Sequence, residues 1–191
     1  EAEGKRVLSV SRIGKRIVLG LEQELFLVIH LMIAGRLRWK DRGSAVPKKV
    51  GLAGFDFETG TIVFTEASSK KRASMFLVRG EAALSQFERG GIEPLEASLD
   101  EFREALTREN RTLKRALTDP RLIGGIGNTY SDEILFAARL SPVKRTHQLE
   151  ADEIARLYAA RQGTLLEFTA RLRSESGDGF PHKVGAFPHD I

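Results

Sequence analysis

The residues best suited to chemistry lie between positions 111 and 130, and the chemistry they suit is holding a phosphate. Arg111, Lys114 and Arg115 place three cations within five positions. Gly124, Gly125 and Gly127 follow, then Asn128 and Tyr130. Glycines let a backbone approach a ligand closely, and successive N–H groups ahead of a helix attract an anion. Lysine, a side-chain amide, a phenol and free N–H groups are the donors that position a phosphate backbone. The spacing excludes the common nucleotide cradles: "GGIGNT" lacks the G-x-G-x-x-G pattern, no strand comes before it, and no Gly-Lys-Ser/Thr follows it. The competing reading is a tight interhelical turn whose glycines only terminate the first helix.

Other chemistry is sparse. The chain has no cysteine, which excludes disulfides, thiolate metal sites and a cysteine nucleophile. His182 and His189 stand seven apart in a loop, too little for a metal site, and no Ser/His/Asp arrangement is evident. Glu22 and Glu24 flank a hairpin gap, and Asp132 and Glu133 begin a helix, where acids suit the dipole.

The 191 residues carry 30 Lys/Arg against 26 Asp/Glu, a net charge of +4. A basic balance fits a polyanionic partner, and equally an unspecific basic surface. Residues 35–49, "GRLRWKDRGSAVPKK", hold six Lys/Arg against one Asp, with Trp39 among them. That run either lines a nucleic-acid groove or is a solvated loop. The longest apolar run, Leu25 to Ala34, is interrupted by His30 and too short to span a bilayer. No leader peptide is visible, so the expectation is a cytoplasmic or nucleoid-associated monomer without membrane contact.

These residues need elements to position them. In the first half, "RVLSVSRI", "KRIVLGL", "ELFLVIHLMI", "VGLAGFDFE", "TIVFTE" and "SMFLVRG" are short and rich in β-branched or aromatic residues. Glu22-Gln23 and Thr59-Gly60 are hairpin-length gaps. In the second half the period becomes helical. Ser98 with Glu101 three residues on makes a capping box. "TLKRALTD" is a short helix stopped at Pro120. "NTYSDEILFAARL" is a helix with Asn128 or Ser131 as cap, and residues 150–174 form a long amphipathic run with Gly163 either tolerated inside it or breaking it. The reading is α+β: a partial antiparallel β-sandwich in residues 1–95, then a helical domain in residues 96–191 built on helix, compact double turn, helix. The boundary falls in "GGIEPLE", residues 90–96.

Taken together, "LKRALTDPRLIGGIGNTYSDEILFAARLSP" closely resembles the helix–two-turns–helix element of the formamidopyrimidine-DNA glycosylase (Fpg/Nei) family. "SRIGKRIVLGL" and "LFLVIHLMIAGRLRW" resemble that family's sandwich strands and its void-filling loop, "GGIEPLE" its interlobe link, and "GFPHKVGAF" its loop over the damaged base. The resemblance implies base-excision repair: removal of oxidised bases, purines above all, and nicking of the abasic site in damaged double-stranded DNA. It implies that Lys114 and Asn128 hold phosphates flanking a flipped base, with Gly127 and Tyr130 in support and Arg111 on the approach. It implies that Lys15 sits near the damaged nucleotide's phosphate, where it is also a candidate accessory amine, and that His30 contacts the backbone. Ile33 becomes the wedge that fills the gap, with Met32 as its neighbouring alternative; both could equally be core residues at a strand end. Arg72 takes the place of an arginine that probes the opposite base, while Phe180 and Lys183 fall in the lesion loop.

The match departs from the family at its chemistry. The family reaction needs an N-terminal proline amine with an adjacent glutamate, and only an amine can form the imine. The six prolines here, Pro47, Pro94, Pro120, Pro142, Pro181 and Pro188, are all internal amides. The family's zinc finger needs four cysteines, so zinc is expected in an intact family protein and no cofactor in this chain. The expectation is a piece of a longer glycosylase that binds DNA without the catalytic amine. The alternative is a noncatalytic protein that uses the same helical element on DNA or structured RNA. The loop "SSKKRAS" also lacks the aromatic residue that accompanies the family's probing arginine.

Overall fold

A computed structural model of the chain describes residues 1–181. Lys183 of the lesion-loop expectation lies outside them. The chain divides into two compact units. The first comprises Glu1–Arg12, Arg16–Leu84 and the described residues from Glu175 onward; the second comprises Ile13–Lys15 and Ser85–Ser174.

The first unit holds seven antiparallel strands: β1 (Val7–Ile13), β2 (Arg16–Leu21), β3 (Leu25–His30), β4 (Gly35–Lys40), β5 (Gly51–Asp56), β6 (Thr61–Glu66) and β7 (Ser74–Arg79). They form a four-stranded sheet in the order β1-β2-β3-β7 and a three-stranded sheet in the order β4-β6-β5. Alternation decides what each strand buries. Leu27 and Ile29 of β3 and Phe64 of β6 form the core, with Ile17, Leu19, Leu37 and Phe55 packed on it. Both expected hairpins are present: Leu21 pairs with Leu25, and Asp56 with Thr61.

Two strand boundaries differ from the sequence reading. The basic run is not a loop at its start, because Gly35–Lys40 is strand β4, pairing with β6 from Gly35↔Glu66 to Lys40↔Thr61. The strand expected to reach Ile33 stops at His30. Met32 there has φ 54°, a left-handed backbone that a strand cannot accommodate.

The second unit is helical: α1 (Leu99–Thr107), α2 (Leu113–Thr118), α3 (Asn128–Ala138) and, as far as Ser174, α4 (Ala151–Ser176). The Ser98–Glu101 capping box starts α1. The helix passes through Gly163 unbroken. Phe102, Leu106, Leu113, Leu117, Ile123, Ile134 and Leu157 form one core from all four helices and the turn between α2 and α3. Arg161 is fully buried among them. Its guanidinium lies 5.0 Å from the Phe102 ring centroid and 4.3 Å from that of Tyr158. Nη2 donates to the Ala97 carbonyl at 3.5 Å, Nε and Nη1 have no hydrogen-bond partner among the described residues, and burial pushes its pKa down.

Candidate nucleic-acid interface

In the helical unit, the α2–α3 turn converges on the start of α3. Gly125 has φ 77°, a conformation glycine adopts without a Cβ clash. Gly124 N–H donates to the Ile92 carbonyl at 2.8 Å, which pins the turn to the chain entering the unit. Gly127, rather than Asn128 or Ser131, is the N-cap of α3, and no side chain caps it. Among the described residues, no side chain accepts from the first N–H groups of that helix, and its positive dipole end is open.

Two ammonium groups stand beside this end. A Cβ placed on Gly127 would lie 3.3 Å from Lys15 Nζ, and burial lowers the Lys15 pKa. Lys114 Nζ donates to the Asn128 carbonyl at 2.7 Å and pairs with Asp132 at 2.5 Å. Asp132 is the residue that sequence reasoning assigned only to the helix dipole. Its position four residues after Asn128 puts it over the same turn of α3. Tyr130 packs edge-on against Phe168 at 5.4 Å, and burial raises its phenol pKa. Lys15, Lys114, Gly127 and Asn128 are thus brought together.

Arg111 is not part of that group. Its Nη1 donates to Asp119 at 2.7 Å and its Nε to Glu109 at 2.6 Å. Asp119 also accepts from Arg121 Nη2 at 2.7 Å and from the Arg121 N–H at 2.9 Å. Sequence reasoning read Asp119 only as the residue before a helix-stopping proline, yet it ties the approach to α2 and the following turn together. The side-chain bond from Arg121 leads the causes that lower its pKa from 3.8 to about 2. A depressed carboxylate pKa stabilises the fold above the unfolded value, and the gain is lost as pH falls toward 2. Arg121 is 60% exposed, so screening reduces the linkage energy to about 1–2 kcal/mol. Asp119→Asn is expected to remove that much pH dependence between pH 5 and 2, measured as the difference between variant and parent denaturation free energies. Parallel pH profiles for the two proteins would refute the assignment.

In the strand unit, the segment after β3 presents Ile33. Gly35 N–H donates to the Leu31 carbonyl at 2.8 Å, closing a turn. Arg36 Nη1 braces it through the Ile33 carbonyl at 2.9 Å and the Gly35 carbonyl at 2.7 Å. Ile33 is 85% exposed and Met32 41%, so neither is a core residue at a strand end. His30 closes β3 opposite Arg16 and is half-buried.

Arg72 belongs to a loop organised by Glu66, which is 1% exposed. The Glu66 carboxylate accepts the N–H groups of Arg72 at 3.0 Å and Ala73 at 3.2 Å, and Lys71 Nζ donates to its carbonyl. Met32, Ile33, Ser68, Lys70 and Arg72 line a cleft of about 260 Å³. Phe180 instead stacks on Trp39 at 6.3 Å, and Trp39 on Phe57 at 6.0 Å. Among the described residues no group of three or more His, Asp or Glu is placed to hold a metal ion. No described helix is long and apolar enough to cross a membrane.

Comparison with known proteins gives this geometry a context. Residues 1–72 match the model of the formamidopyrimidine-DNA glycosylase N-terminal domain, and residues 91–174 that of the formamidopyrimidine-DNA glycosylase H2TH domain. The formamidopyrimidine-DNA glycosylase of Thermus thermophilus is 36% identical over 170 residues, 87% of this chain and 61% of its own length. That of Heliobacterium modesticaldum is 33% identical over 171 residues, 86% of this chain and 61% of its own length. The Lactococcus lactis Fpg, solved in complex with an abasic-site-containing DNA, superposes with a TM-score of 0.81 at 26% identity, covering 95% of this chain and 68% of that one. The chain therefore spans about three fifths of the length of the curated relatives it matches.

Proposed function

The chain belongs to the formamidopyrimidine-DNA glycosylase (Fpg/Nei) family, and from that premise we propose that it supplies the DNA-gripping part of a base-excision repair glycosylase. The observation that carries the reading is the open N-terminus of α3 with Lys15 and Lys114 beside it. Two ammonium groups and unsatisfied N–H donors around one point form a phosphate seat. Asn128 offers its amide there, and Tyr130 stiffens the start of the helix through Phe168.

Ile33 acts as the wedge. A flipped base leaves an unstacked gap that costs a few kcal/mol, and an exposed apolar side chain on a braced turn helps offset it. Arg72, in the cleft beside Ile33, faces the opposite strand, and His30 contacts the backbone. The whole enzyme removes oxidised bases, purines foremost, and nicks the abasic product. Imine formation needs a free amine, and none of the chain's six prolines carries one. The zinc that the family implies finds no ligand set here: there is no cysteine and, among the described residues, no metal-binding cluster.

The test is duplex binding combined with borohydride trapping. These 191 residues are expected to bind an abasic-site duplex in preference to structured RNA and to give no covalent adduct. A strong trapped adduct would sink the assignment of the chain to binding alone. Preference for structured RNA would replace the DNA reading altogether.

A further inference from the structure

We propose that the solvent face of the β4-β6-β5 sheet is a second phosphodiester-binding surface, centred on Arg38 and Lys40. The proposal rests on the DNA-binding reading above and adds a contact that the α3 seat does not supply. Its first support is charge placement. Residues 35–49 carry a surplus of five positive charges, whereas the whole chain carries +4. The remaining residues are therefore slightly acidic, and the basic character of the protein is concentrated here.

The second support is how the fold presents those charges. β4 alternates, with Leu37 turned into the sheet-to-sheet core and Arg36, Arg38 and Lys40 exposed on the other face. Residues two apart on a strand stand about 6.8 Å apart, so the cations form a straight, evenly spaced row, as a polyanion's repeating charges require. Beside the row runs a cleft of about 500 Å³ whose floor includes Val63 and Thr65 and whose far wall is Ala45 and Pro47. Among the described residues, no carboxylate lines it. The wall is held in place because Gly43 N–H donates to Thr61 Oγ1 at 2.9 Å, and Thr61 in turn donates to Asp56 at 2.5 Å. That bond also engages Asp56, the acid at the end of β5.

The third support is that the row is divided by task. Arg36 is committed to the Ile33 turn. Among the described residues, no ion pair or hydrogen bond engages the side chains of Arg38, Lys40, Lys48 or Lys49. A row that begins at the braced turn and continues as uncommitted cations gives a strand passing Ile33 a track along β4. Among the described residues, the cleft contains no aromatic side chain for stacking, so this is backbone contact without base preference.

The experiment compares the 191-residue chain with its Arg38→Gln/Lys40→Gln variant on a long and a short abasic-site duplex, and on a single strand, over a range of salt. Both side chains are exposed, and an unchanged thermal midpoint verifies the fold. Loss of two phosphate contacts is expected to lower the salt slope by about 2 and the affinity for the long duplex roughly tenfold. The short duplex is expected to lose less, and the single-strand arm shows whether the track takes one strand or two. Bound duplex is also expected to protect Lys40 from acetylation. An unchanged slope and affinity in the variant, while Lys114→Ala still weakens binding, overturns this surface and leaves the α3 seat standing. Failure of the parent chain to bind DNA overturns both. Binding of inorganic phosphate at Arg38 and Lys40 without an effect on DNA marks a small-anion site and also overturns the proposal.

Discussion

Gly91→Ala is expected to cost the helical unit about 3–5 kcal/mol and to lower the thermal midpoint by about 10 °C. A Cβ at residue 91 would lie 2.5 Å from the Pro120 carbonyl oxygen and 2.9 Å from both the Leu122 carbonyl carbon and the Ile123 nitrogen. These are backbone atoms of the α2–α3 turn, and they cannot swing aside as a side-chain end can. The incoming chain must retreat, which strains Ile92 N–H to Leu122 O at 3.0 Å and Gly124 N–H to Ile92 O at 2.8 Å. Those two bonds hold the glycine turn in shape, so DNA affinity should fall with stability. Gly163→Ala is the control. No atom of the described residues lies within 4 Å of a Cβ there, and alanine in a helix interior gains up to about 1 kcal/mol over glycine. Circular-dichroism melts of the two variants should move in opposite directions. A Gly91→Ala midpoint equal to that of the parent would show that the link is not packed against the turn as described.

Lys114→Ala is expected to reduce duplex affinity about 10- to 100-fold, the cost of a charge-assisted hydrogen bond to phosphate. The salt slope should fall by about 1. Stability should barely change, because the Lys114–Asp132 pair has an acid that is 62% exposed and such pairs contribute about 0–1 kcal/mol. Asn128→Ala should weaken binding less, since it removes a neutral donor. Asp132→Asn works in the opposite direction: it leaves Lys114 without its carboxylate partner, and affinity should rise. Fluorescence anisotropy on one abasic-site duplex at several salt concentrations separates these outcomes. If Lys114→Ala and Asp132→Asn shift affinity in the same direction, the ammonium is not exchanging a carboxylate for a phosphate.

Local rules carried far in this chain, and their failures have physical causes. Hairpin gaps, the Ser98–Glu101 box and the stop at Pro120 depend on neighbours within a few residues, and the structure contains all of them. β4 was hidden because its exposed face is all cation, although Leu37 and Trp39 already alternate with those cations. The end of β3 was illegible because a left-handed Met32 carries no compositional signal. The approach of Lys15 to Gly127 spans more than a hundred residues of chain; the family resemblance implies that both lie near the phosphates of one nucleotide, and the fold supplies the contact itself. Arg111 shows the opposite limit. Its type and position suited a phosphate, yet Asp119 and Glu109 already occupy its guanidinium. A basic cluster counts cations, and only contacts show which of them are free.

The caged Arg161 has a consequence for how many ways the helices could assemble. α4 is 26 residues long, and its inner face offers Ile154, Leu157 and Leu165 to the core. Apolar contacts of that kind tolerate sliding by a turn, because one aliphatic side chain replaces another at little cost. A guanidinium does not. With Arg161 between Phe102 and Tyr158, α1 and α4 have one screw setting in which the charge meets two ring faces and the Ala97 carbonyl. In any other setting the same charge is buried with nothing to answer it, at several kcal/mol. Arg161 adds little depth to the native well; it raises the floor of the neighbouring ones.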